Sequence, residues 1–423
     1  MKTVWTCLTR GLFICCVTLA VFAGSARQLA AQEPIKVGML MTYVGPFALF
    51  ARYEAKGARV LIDQVNRSGG INGRPIEIVN YDTEGKPDRA AVLYRRLALE
   101  DKVVAVIGPD SNNVVLGMSS VPNEVRIPSV AAPGSYELLE PKNREYIVSA
   151  WGSHSYAMGM VLAYFKDKLK VNRIGILSSS DIFGQNLDKL LRSISKLVGI
   201  EVVMTVAQPM SDRDLLPSLR QLAAAKPPID ALIVWGSGPY GNIGLNQSEL
   251  AGLNIPMGYL GGNVVPELIK DIGPSAARRT YIATGRLAVI DTLPKNDPFH
   301  DVLQQFVKDY RALNNNEFPA MPSGVGYDMA LPIVEALKAV GPDPGRIRDH
   351  IRTQQKNLLG RQGTRFSRTP EDGYGSDPLD TVVANIEGGK FVFRGYTRES
   401  FDRLKIKDAD LQAEMRANNF LAK

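Results

Sequence analysis

Small, polar and turn-forming residues follow two apolar runs in the first third of the chain. The run at 103–107 leads into a loop at 108–113, and the run at 126–130 leads into a loop at 131–135. The first loop reads Gly-Pro-Asp-Ser-Asn-Asn and the second reads Ala-Ala-Pro-Gly-Ser. Such loops expose backbone N–H groups together with hydroxyl and amide donors, which are suited to an anion. We therefore expect the two loops to form one rim of a site for a small, anionic ligand.

A glycine-rich segment at 236–241 suggests a different chemistry. It reads Gly-Ser-Gly-Pro-Tyr-Gly and lies between an apolar strand and a helical pattern, which is the context of a dinucleotide-binding turn. The next predicted strand ends in two glycines at 261–262, where such a turn requires an Asp or Glu to bind the ribose. This mismatch argues against a dehydrogenase. We expect a glycine-rich loop at the edge of a cleft instead, with Ser237, Gly238 and Tyr240 as candidate ligand contacts.

The remaining motifs do not support an enzyme, a metal centre or a nucleic-acid site. The chain contains no G-x-S-x-G pattern, and its three histidines are far apart in the sequence. Isolated histidines lack the spacing that metal ligands need. The formal charge of +7 is dispersed, with no basic block that alternates with aromatic residues. We therefore expect a protein that binds a small molecule, without enzymatic activity, a cofactor or a nucleic-acid partner.

Alternation of strands and helices determines where these loops lie. From residue 35 to residue 150 the sequence predicts the order β-α-β-α-β-α-β, and the alternation restarts near residue 173 and continues to 284. This order is typical of parallel sheets with helices on both faces. We predict an α/β fold with two doubly wound parallel-sheet domains joined by a hinge. In such sheets ligands bind outside the carboxyl ends of the strands, where both loops of the rim fall.

The same patterns divide the chain into segments. After a leader at 1–31 we predict a first lobe that begins with 35–150, a second lobe at 151–285, late helices and a hairpin shared between the lobes and the hinge at 286–396, and a polar tail at 397–423.

The leader has the pattern of a secretory signal peptide. Lys2 and Arg10 precede an apolar stretch at 11–24, and small residues follow it. The stretch is short for a membrane span, although a membrane anchor is the alternative. All the cysteines of the chain lie in this leader, namely Cys7, Cys15 and Cys16. The mature protein would then contain neither disulfides nor thiolates, which suits an exported, periplasmic protein.

Several motifs resemble those of type I periplasmic solute-binding proteins of ABC transporters, in particular the branched-chain amino acid/amide group. The most specific is Asn-Arg-Ser-Gly-Gly-Ile-Asn-Gly at 66–73, which Val-Ile-Gly-Pro follows at 106–109. Shorter matches are 45–50, Gly57-Ala58, Tyr81-Asp82, Ile127-Pro128, Gly134-Ser135, 181–184, Gly252-Leu253 and Tyr327-Asp328. The resemblance extends over about residues 35 to 394.

This resemblance implies how the molecule would work. Members of the group have two lobes, joined by three crossings of the chain, that close on a ligand in the cleft between them. It also implies partners, since the ligand would pass to the permease and ATPase subunits of an ABC importer in the inner membrane. A ligand-sensing receptor with the same fold is the alternative to transport.

The resemblance also assigns ligand contacts in the first lobe. Asn112, Gly134 and Ser135 occupy positions whose backbone and side-chain donors hold the ligand's carboxylate in the family. Helix capping is the alternative role for Asn112 and Ser135.

Aromatic residues are expected to form the walls of the site. Tyr43, Phe47 and Phe50 follow the first strand, and packing in the core is the alternative role for Tyr43 and Phe50. Phe183 stands where the family often has Tyr, so the pocket would lose one hydroxyl donor and be more apolar.

Two departures from the family pattern concern the ligand's identity. Amino acid binders of the family hold the ammonium group with acidic side chains at two places in the second lobe, and here those places read Trp-Gly-Ser-His-Ser-Tyr at 151–156 and Leu-Gly-Gly-Asn-Val at 260–264. Burying an ammonium group without a carboxylate is costly. We therefore expect a carboxylate or amide without an α-amino group, such as an aromatic or aliphatic acid, and a branched-chain amino acid is the alternative. The candidate ligand contacts in these segments are His154, Tyr156, Gly262 and Asn263. For His154 the alternative is a solvent-exposed side chain that does not contact the ligand.

Overall fold

The computed structural model describes residues 33–45, 47–132, 145–151, 154–236, 239–259, 264–377 and 379–418. At 154–158 and 182–183 the description covers the backbone alone. The expected leader at 1–31 lies outside these ranges. Within them, no helix is both long and apolar enough to cross a membrane.

The first lobe is built on a parallel sheet of five strands in the order β2-β1-β3-β4-β5. Its strands are β1 (Ile35–Met41), β2 (Ile76–Asp82), β3 (Val106–Ile107), β4 (Ser129–Ala131) and β5 (Ile147–Ser149). The helices between them are α1 (Ala48–Arg67), α2 (Pro87–Leu99), α3 (Asn112–Met118) and α4 (Val121–Val125). Both faces of the central strands are covered, which is why β1 and β3 read as apolar runs.

The second lobe is built on a sheet of seven strands in the order β14-β13-β10-β9-β8-β6-β7. The strands are β6 (Arg173–Ser179), β7 (Glu201–Gln208), β8 (Ala231–Trp235), β9 (Met257–Tyr259), β10 (Thr280–Thr284), β13 (Val382–Glu387) and β14 (Lys390–Tyr396). Strands β6 to β10 are parallel, and the hairpin of β13 and β14 adds an antiparallel edge. The helices are α5 (His154–Lys168), α6 (Ile182–Val198), α7 (Leu216–Ala223), α8 (Pro239–Leu250), α9 (Pro266–Lys270) and α10 (Pro274–Arg279). The predicted α/β fold with two parallel-sheet lobes is thus confirmed.

The later part of the chain returns to the first lobe before it forms the hairpin. A 3₁₀ helix (Arg286–Val289) is followed by α11 (His300–Leu313), α12 (Met321–Val340), α13 (Pro344–Thr353) and the short strands β11 (Leu358–Leu359) and β12 (Arg365–Phe366). Helix α12 packs along α1 in direct backbone contact. A Cβ atom on Gly326 would lie 1.8 Å from the carbonyl oxygen of Glu54, and one on Gly57 would lie 1.8 Å from that of Ser323. Glycine at both positions therefore permits the close approach of the two helices.

Buried polar groups join the segments where the chain passes between the lobes. Arg286 donates to Asp297 at 3.0 Å and to the carbonyl oxygen of Gly363 at 2.5 Å, and it forms an ion pair with Asp380 at 2.8 Å. Since Arg286 is only 6% exposed, its charge depends on these partners. The second crossing, which contains Arg286, is thereby fixed to the third crossing, which contains Asp380.

Asp328 makes a second connection at the hinge. Its carboxylate accepts hydrogen bonds from the backbone N–H groups of Arg361 at 2.5 Å and Gln362 at 3.1 Å, and from the Gln362 side chain at 2.9 Å. The same Gln362 amide donates to the carbonyl oxygen of Ala150 at the first crossing, at 2.5 Å. Burial raises the pKa of Asp328 to about 6, although these hydrogen bonds oppose the shift.

Some elements differ from the sequence-based expectation. Strand β3 has two ladder residues rather than the five expected at 103–107, although its hydrogen bonds to β1 continue at Val104 and Ala105. The helix expected from Tyr327 begins at Met321, so Asp328 lies inside the helix rather than near its start. The tail forms two helices, α14 (Thr397–Arg403) and α15 (Asp408–Ala417), which pack on α5 and α6.

We expect Gly326→Ala to destabilise the protein by about 1–3 kcal/mol, because the new methyl group would force α1 and α12 apart. Urea unfolding measures this change. Gly345→Ala is the matched control, since a Cβ atom at this half-exposed helical position would meet no atom closer than 3.4 Å. The control should be neutral or more stable by up to about 1 kcal/mol. Equal stability of both variants and the wild type would contradict the close helix contact.

Asp328 should make stability depend on pH. A carboxyl group whose pKa is higher in the folded state stabilises the protein below its ordinary pKa, and this contribution is lost as the pH rises through about 6. Relative to Asp328→Asn, the wild type should therefore lose about 2–3 kcal/mol of unfolding free energy between pH 4 and pH 7. Chemical unfolding across this range measures the difference. Asp410→Asn, at an exposed position of α15, is the control, and parallel pH profiles for all three proteins would rule out the effect.

Candidate functional site

The loops that leave β1 and β3 are fixed to each other beneath the expected rim. The Asp110 carboxylate accepts hydrogen bonds from the backbone N–H of Thr42 at 3.0 Å and from its hydroxyl at 2.7 Å. The Thr42 hydroxyl lies 2.9 Å from that of Thr83 in the loop after β2. Desolvation raises the pKa of Asp110 to about 6, while the hydrogen bonds from Thr42 oppose the shift. This polar cluster determines the course of the loop that contains Asn112.

Asn112 is the first residue of α3 and is half-buried. Ser111 occupies the N-cap position, so the structure does not place Asn112 there. The loop before it lies directly on β1, since Gly108 has φ +101° and a Cβ atom there would lie 2.2 Å from the carbonyl oxygen of Leu40. The glycine therefore permits the close approach of loop and strand that brings Asn112 to the carboxyl edge of the sheet.

The start of the second rim loop lies against the first. The N–H of Ala132 donates to the carbonyl oxygen of Pro109 at 2.9 Å, and Ala150 N–H donates to Ala131 at 2.8 Å. Gly134 and Ser135, which follow Ala132 in the sequence, lie outside the described residues. The described part of the chain thus brings the two rim loops together at one edge of the sheet, as the order of strands predicts.

The aromatic residues after β1 have different surroundings. Phe50 is half-buried on α1, and its ring centroid lies 6.5 Å from that of Phe47, which is 40% exposed. The Tyr43 hydroxyl donates to the side chain of Asn80 on β2 at 3.0 Å, and burial raises the pKa of this hydroxyl. Tyr43 is thereby held towards β2, while Phe47 and Phe50 leave part of their apolar ring surface exposed.

Two helices of the second lobe begin at or next to candidate ligand contacts. Helix α5 begins at His154 and contains Tyr156 in its first turn, and Phe183 is the second residue of α6. The side chains of these three residues are outside the description, as are Gly262 and Asn263 altogether. Their helix positions place His154, Tyr156 and Phe183 just after the carboxyl ends of β5 and β6, where a cleft between the lobes would lie.

A capping turn determines where α6 begins. Asp181 is the N-cap, and its carboxylate accepts hydrogen bonds from the N–H of Gly184 at 2.9 Å and from the Ser179 hydroxyl at 2.8 Å. A Cβ atom on Gly184 would lie 1.8 Å from the carbonyl oxygen of Ser179. The sequence Asp-Ile-Phe-Gly therefore forms a tight turn, and its glycine is required by the contact with the end of β6.

The glycine-rich segment at 236–241 is explained by packing. Tyr240 is 1% exposed, and its hydroxyl donates to the carbonyl oxygen of Ser178 at 2.8 Å. A Cβ atom on Gly236 would lie 2.1 Å from the Tyr240 ring, and one on Gly241 would lie 2.6 Å from the ring of Tyr259. Tyr240 is thus a core residue rather than the ligand contact we expected. Ser237 and Gly238 lie outside the described residues.

Sequence reasoning missed a buried acid on α1. Glu54 is 2% exposed, and its Oε2 atom has no hydrogen-bond partner among the residues that the structure describes. Burial raises its pKa well above the ordinary value, and the charge of Asp110 raises it further. This carboxyl group therefore favours its protonated form, in which it can donate a hydrogen bond. The pattern of α1 gave no signal for it, because an acidic residue on a helix is usually solvated.

Comparisons with known proteins identify the family of this chain. A family model described as periplasmic binding protein matches residues 34–390. The Leu/Ile/Val-binding protein of Escherichia coli K12 is 23% identical over 301 residues, which cover 71% of this chain and 79% of that protein. An amino acid binding protein of Pseudomonas aeruginosa is 22% identical over 209 residues, or 49% of this chain and 56% of that protein. The latter match thus spans little more than half of the relative.

A solved structure shows the same fold. The crystal structure of an extracellular ligand-binding receptor from Rhodopseudomonas palustris HaA2 superposes with a TM-score of 0.75 and 22% identity, and covers 86% of this chain and 100% of that one. At this identity the match demonstrates the fold alone. The family model, in contrast, extends through the first sheet, the hinge network and the second sheet as far as the start of β14. The chain therefore belongs to the periplasmic binding proteins, and it is similar in particular to their Leu/Ile/Val-binding members.

Proposed function

We propose that the protein traps a small ligand bearing a carboxylate or an amide between its lobes and delivers it to an ABC importer. The observation that carries the proposal is the hydrogen bond between Ala132 and Pro109, which joins the two rim loops at the carboxyl edge of the first sheet. In a periplasmic binding protein this edge faces the second lobe across the cleft. The partners would be the permease and the ATPase of the importer, and the location would be the periplasm, after cleavage of the leader.

Binding rather than catalysis is the natural use of this site. Loop N–H groups, amides and hydroxyls stabilise an anion without supplying a nucleophile or a general base. The acids beneath the rim, Asp110 and Glu54, have raised pKa values because they are desolvated, and Asp110 is occupied by Thr42. Their role in the proposal is to orient the loops and to set the local charge.

The ligand in this proposal lacks an α-amino group. The segments at 151–156 and 260–264 contain no acid that would pair with an ammonium group. Burial raises the pKa of Glu54 well above its ordinary value, and the Asp110 carboxylate already accepts two hydrogen bonds from Thr42, so neither acid is placed to pair with an ammonium group. Aromatic or aliphatic acids match the apolar surface of Phe47 and Phe50.

Two alternatives follow from specific observations. The named relatives bind leucine, isoleucine and valine, which favours a branched-chain amino acid. The structural neighbour is named a receptor, so ligand sensing without transport is the second alternative. Both alternatives retain the cleft between the lobes and the rim of the first lobe. The first differs from the main proposal because its ligand carries an α-amino group, and the second differs in the partner protein.

A thermal-shift screen tests the proposal directly. The panel should contain benzoate, 4-hydroxybenzoate, short aliphatic acids, their amides, leucine and valine. A true ligand at one hundred times its Kd should stabilise the protein by about 2.7 kcal/mol. We expect a carboxylate or amide without an amine to give the largest shift, with calorimetry providing the Kd. Tight binding of leucine or valine, with no response to the acids, would refute this ligand class.

Replacing Ser135 by Ala should weaken the bound carboxylate about tenfold, since a hydroxyl that donates to a charged group is lost. The melting temperature of the empty protein should stay within about one degree of the wild type. Ser120→Ala is the matched control, because Ser120 is an exposed serine of the same lobe whose side chain caps no helix. Calorimetry with the ligand found in the screen measures both variants. Unchanged affinity in Ser135→Ala would remove this residue from the site.

A further inference from the structure

A hydrogen bond between the two lobes lies away from the crossings of the chain. The Tyr53 hydroxyl donates to Oε1 of Glu267 at 3.0 Å. Tyr53 belongs to α1 of the first lobe and is 6% exposed, whereas Glu267 is an exposed residue in the first turn of α9 of the second lobe. The two residues are 214 positions apart in the sequence, so only the approach of the lobes brings them together.

Each residue is placed close to one half of the candidate site. Tyr53 follows Phe50 by three residues on α1, so the two side chains lie on the same face of the helix. Helix α9 begins at Pro266, directly after the segment that contains Gly262 and Asn263. The bond between Tyr53 and Glu267 therefore connects the wall of the first lobe to the helix that follows the candidate loop of the second.

The bond has the chemistry of a reversible closure. Burial raises the pKa of Tyr53, and the negative charge of Glu267 raises it further, so the phenol remains protonated and able to donate. Helix α1 is itself held in place one turn later, where Lys56 forms an ion pair with Glu317. Opening of the cleft would break the bond to Glu267 and return both groups to water. A single neutral-to-charged hydrogen bond is strong enough to bias an equilibrium and weak enough to break.

We infer that Tyr53 and Glu267 form a latch that positions the two halves of the site in the closed state. The inference rests on the proposed function in taking the cleft as the ligand site. Both are positioning residues, because they act on the separation of the lobes rather than on the ligand. Loss of the bond should raise the ratio of open to closed molecules about fivefold.

The test measures the distance between the lobes in the empty protein. Every cysteine of the chain lies at or before position 16, so the mature chain allows a labelled pair to be introduced. Val92→Cys in the first lobe and Leu250→Cys in the second place spin labels at positions that are 65% and 70% exposed. Tyr53→Phe should shift the distance distribution towards longer separations. Glu267→Ala should shift it equally, and the double variant should add nothing further.

Two variants separate the latch from general effects on stability. Glu267→Gln keeps an acceptor oxygen for the Tyr53 hydroxyl and should retain the wild-type distribution. Tyr81→Phe removes the same type of bond within the first lobe, where the Tyr81 hydroxyl donates to Asp101 at 2.9 Å, and it should leave the lobe distance unchanged.

The possible outcomes are distinct. Coincident distributions for Tyr53→Phe and the wild type would overturn the inference, and so would a wild-type protein that shows only the open separation. An equal shift in Tyr81→Phe would also overturn it. The distance measurement needs no ligand. Failure of the ligand screen would therefore count against the proposed function alone, and the distance measurement would still decide whether the latch exists.

Discussion

The buried guanidinium group of Arg286 determines which parts of the molecule can move. It binds Asp297, the carbonyl oxygen of Gly363 and Asp380. Three segments near the crossings are therefore joined by a single buried positive charge. Removing a partner from such a charge costs several kcal/mol, about 3–5 in measured cases. The contact between Tyr53 and Glu267 has only one hydrogen bond and an exposed acceptor. The crossings are therefore the fixed axis, and the cleft is where the lobes can separate at low cost.

Electrostatics within the first lobe constrain what the rim can hold. Burial raises the pKa values of both Asp110 and Glu54, and the charge of Asp110 raises the pKa of Glu54 further. An anion close to them would favour their protonated forms still more, since like charges in a region of low dielectric repel strongly. Donors from the loops must then outweigh this repulsion, which requires that the loops be rigid. The bonds from Thr42 to Asp110 and from Ala132 to Pro109 supply that rigidity.

The architecture was predictable because its signals are local. Apolar runs, turn glycines and the alternation of strands with helices lie within short windows, and they led to two parallel-sheet lobes with the rim loops at one edge. Contacts between distant residues were not predictable. The sequence predicts that Asp328 lies near the start of a helix. In the structure it lies inside α12, and its carboxylate accepts hydrogen bonds from a loop about 34 residues later. Tyr240 fits a ligand-loop pattern, yet Gly236 makes room for the Tyr240 ring and Gly241 for the ring of Tyr259. Glu54 and Tyr53 gave no signal, because their partners or neighbours come from other segments.

The tail shows how composition alone can mislead about packing. Its sequence is polar, and the family match ends at residue 390, but Phe401, Leu411 and Met415 are all buried in α14 and α15. Arg403 donates to Asp167 on α5 at 2.6 Å, which fixes α14 to a helix that begins at His154. Helix α15 packs on α6, whose second residue is Phe183. Three buried side chains among many charged ones are enough to hold the tail, since each contributes about 1.5–3 kcal/mol on burial. The tail therefore supports, from outside the residues that the family model matches, the two helices that begin at candidate residues of the second lobe.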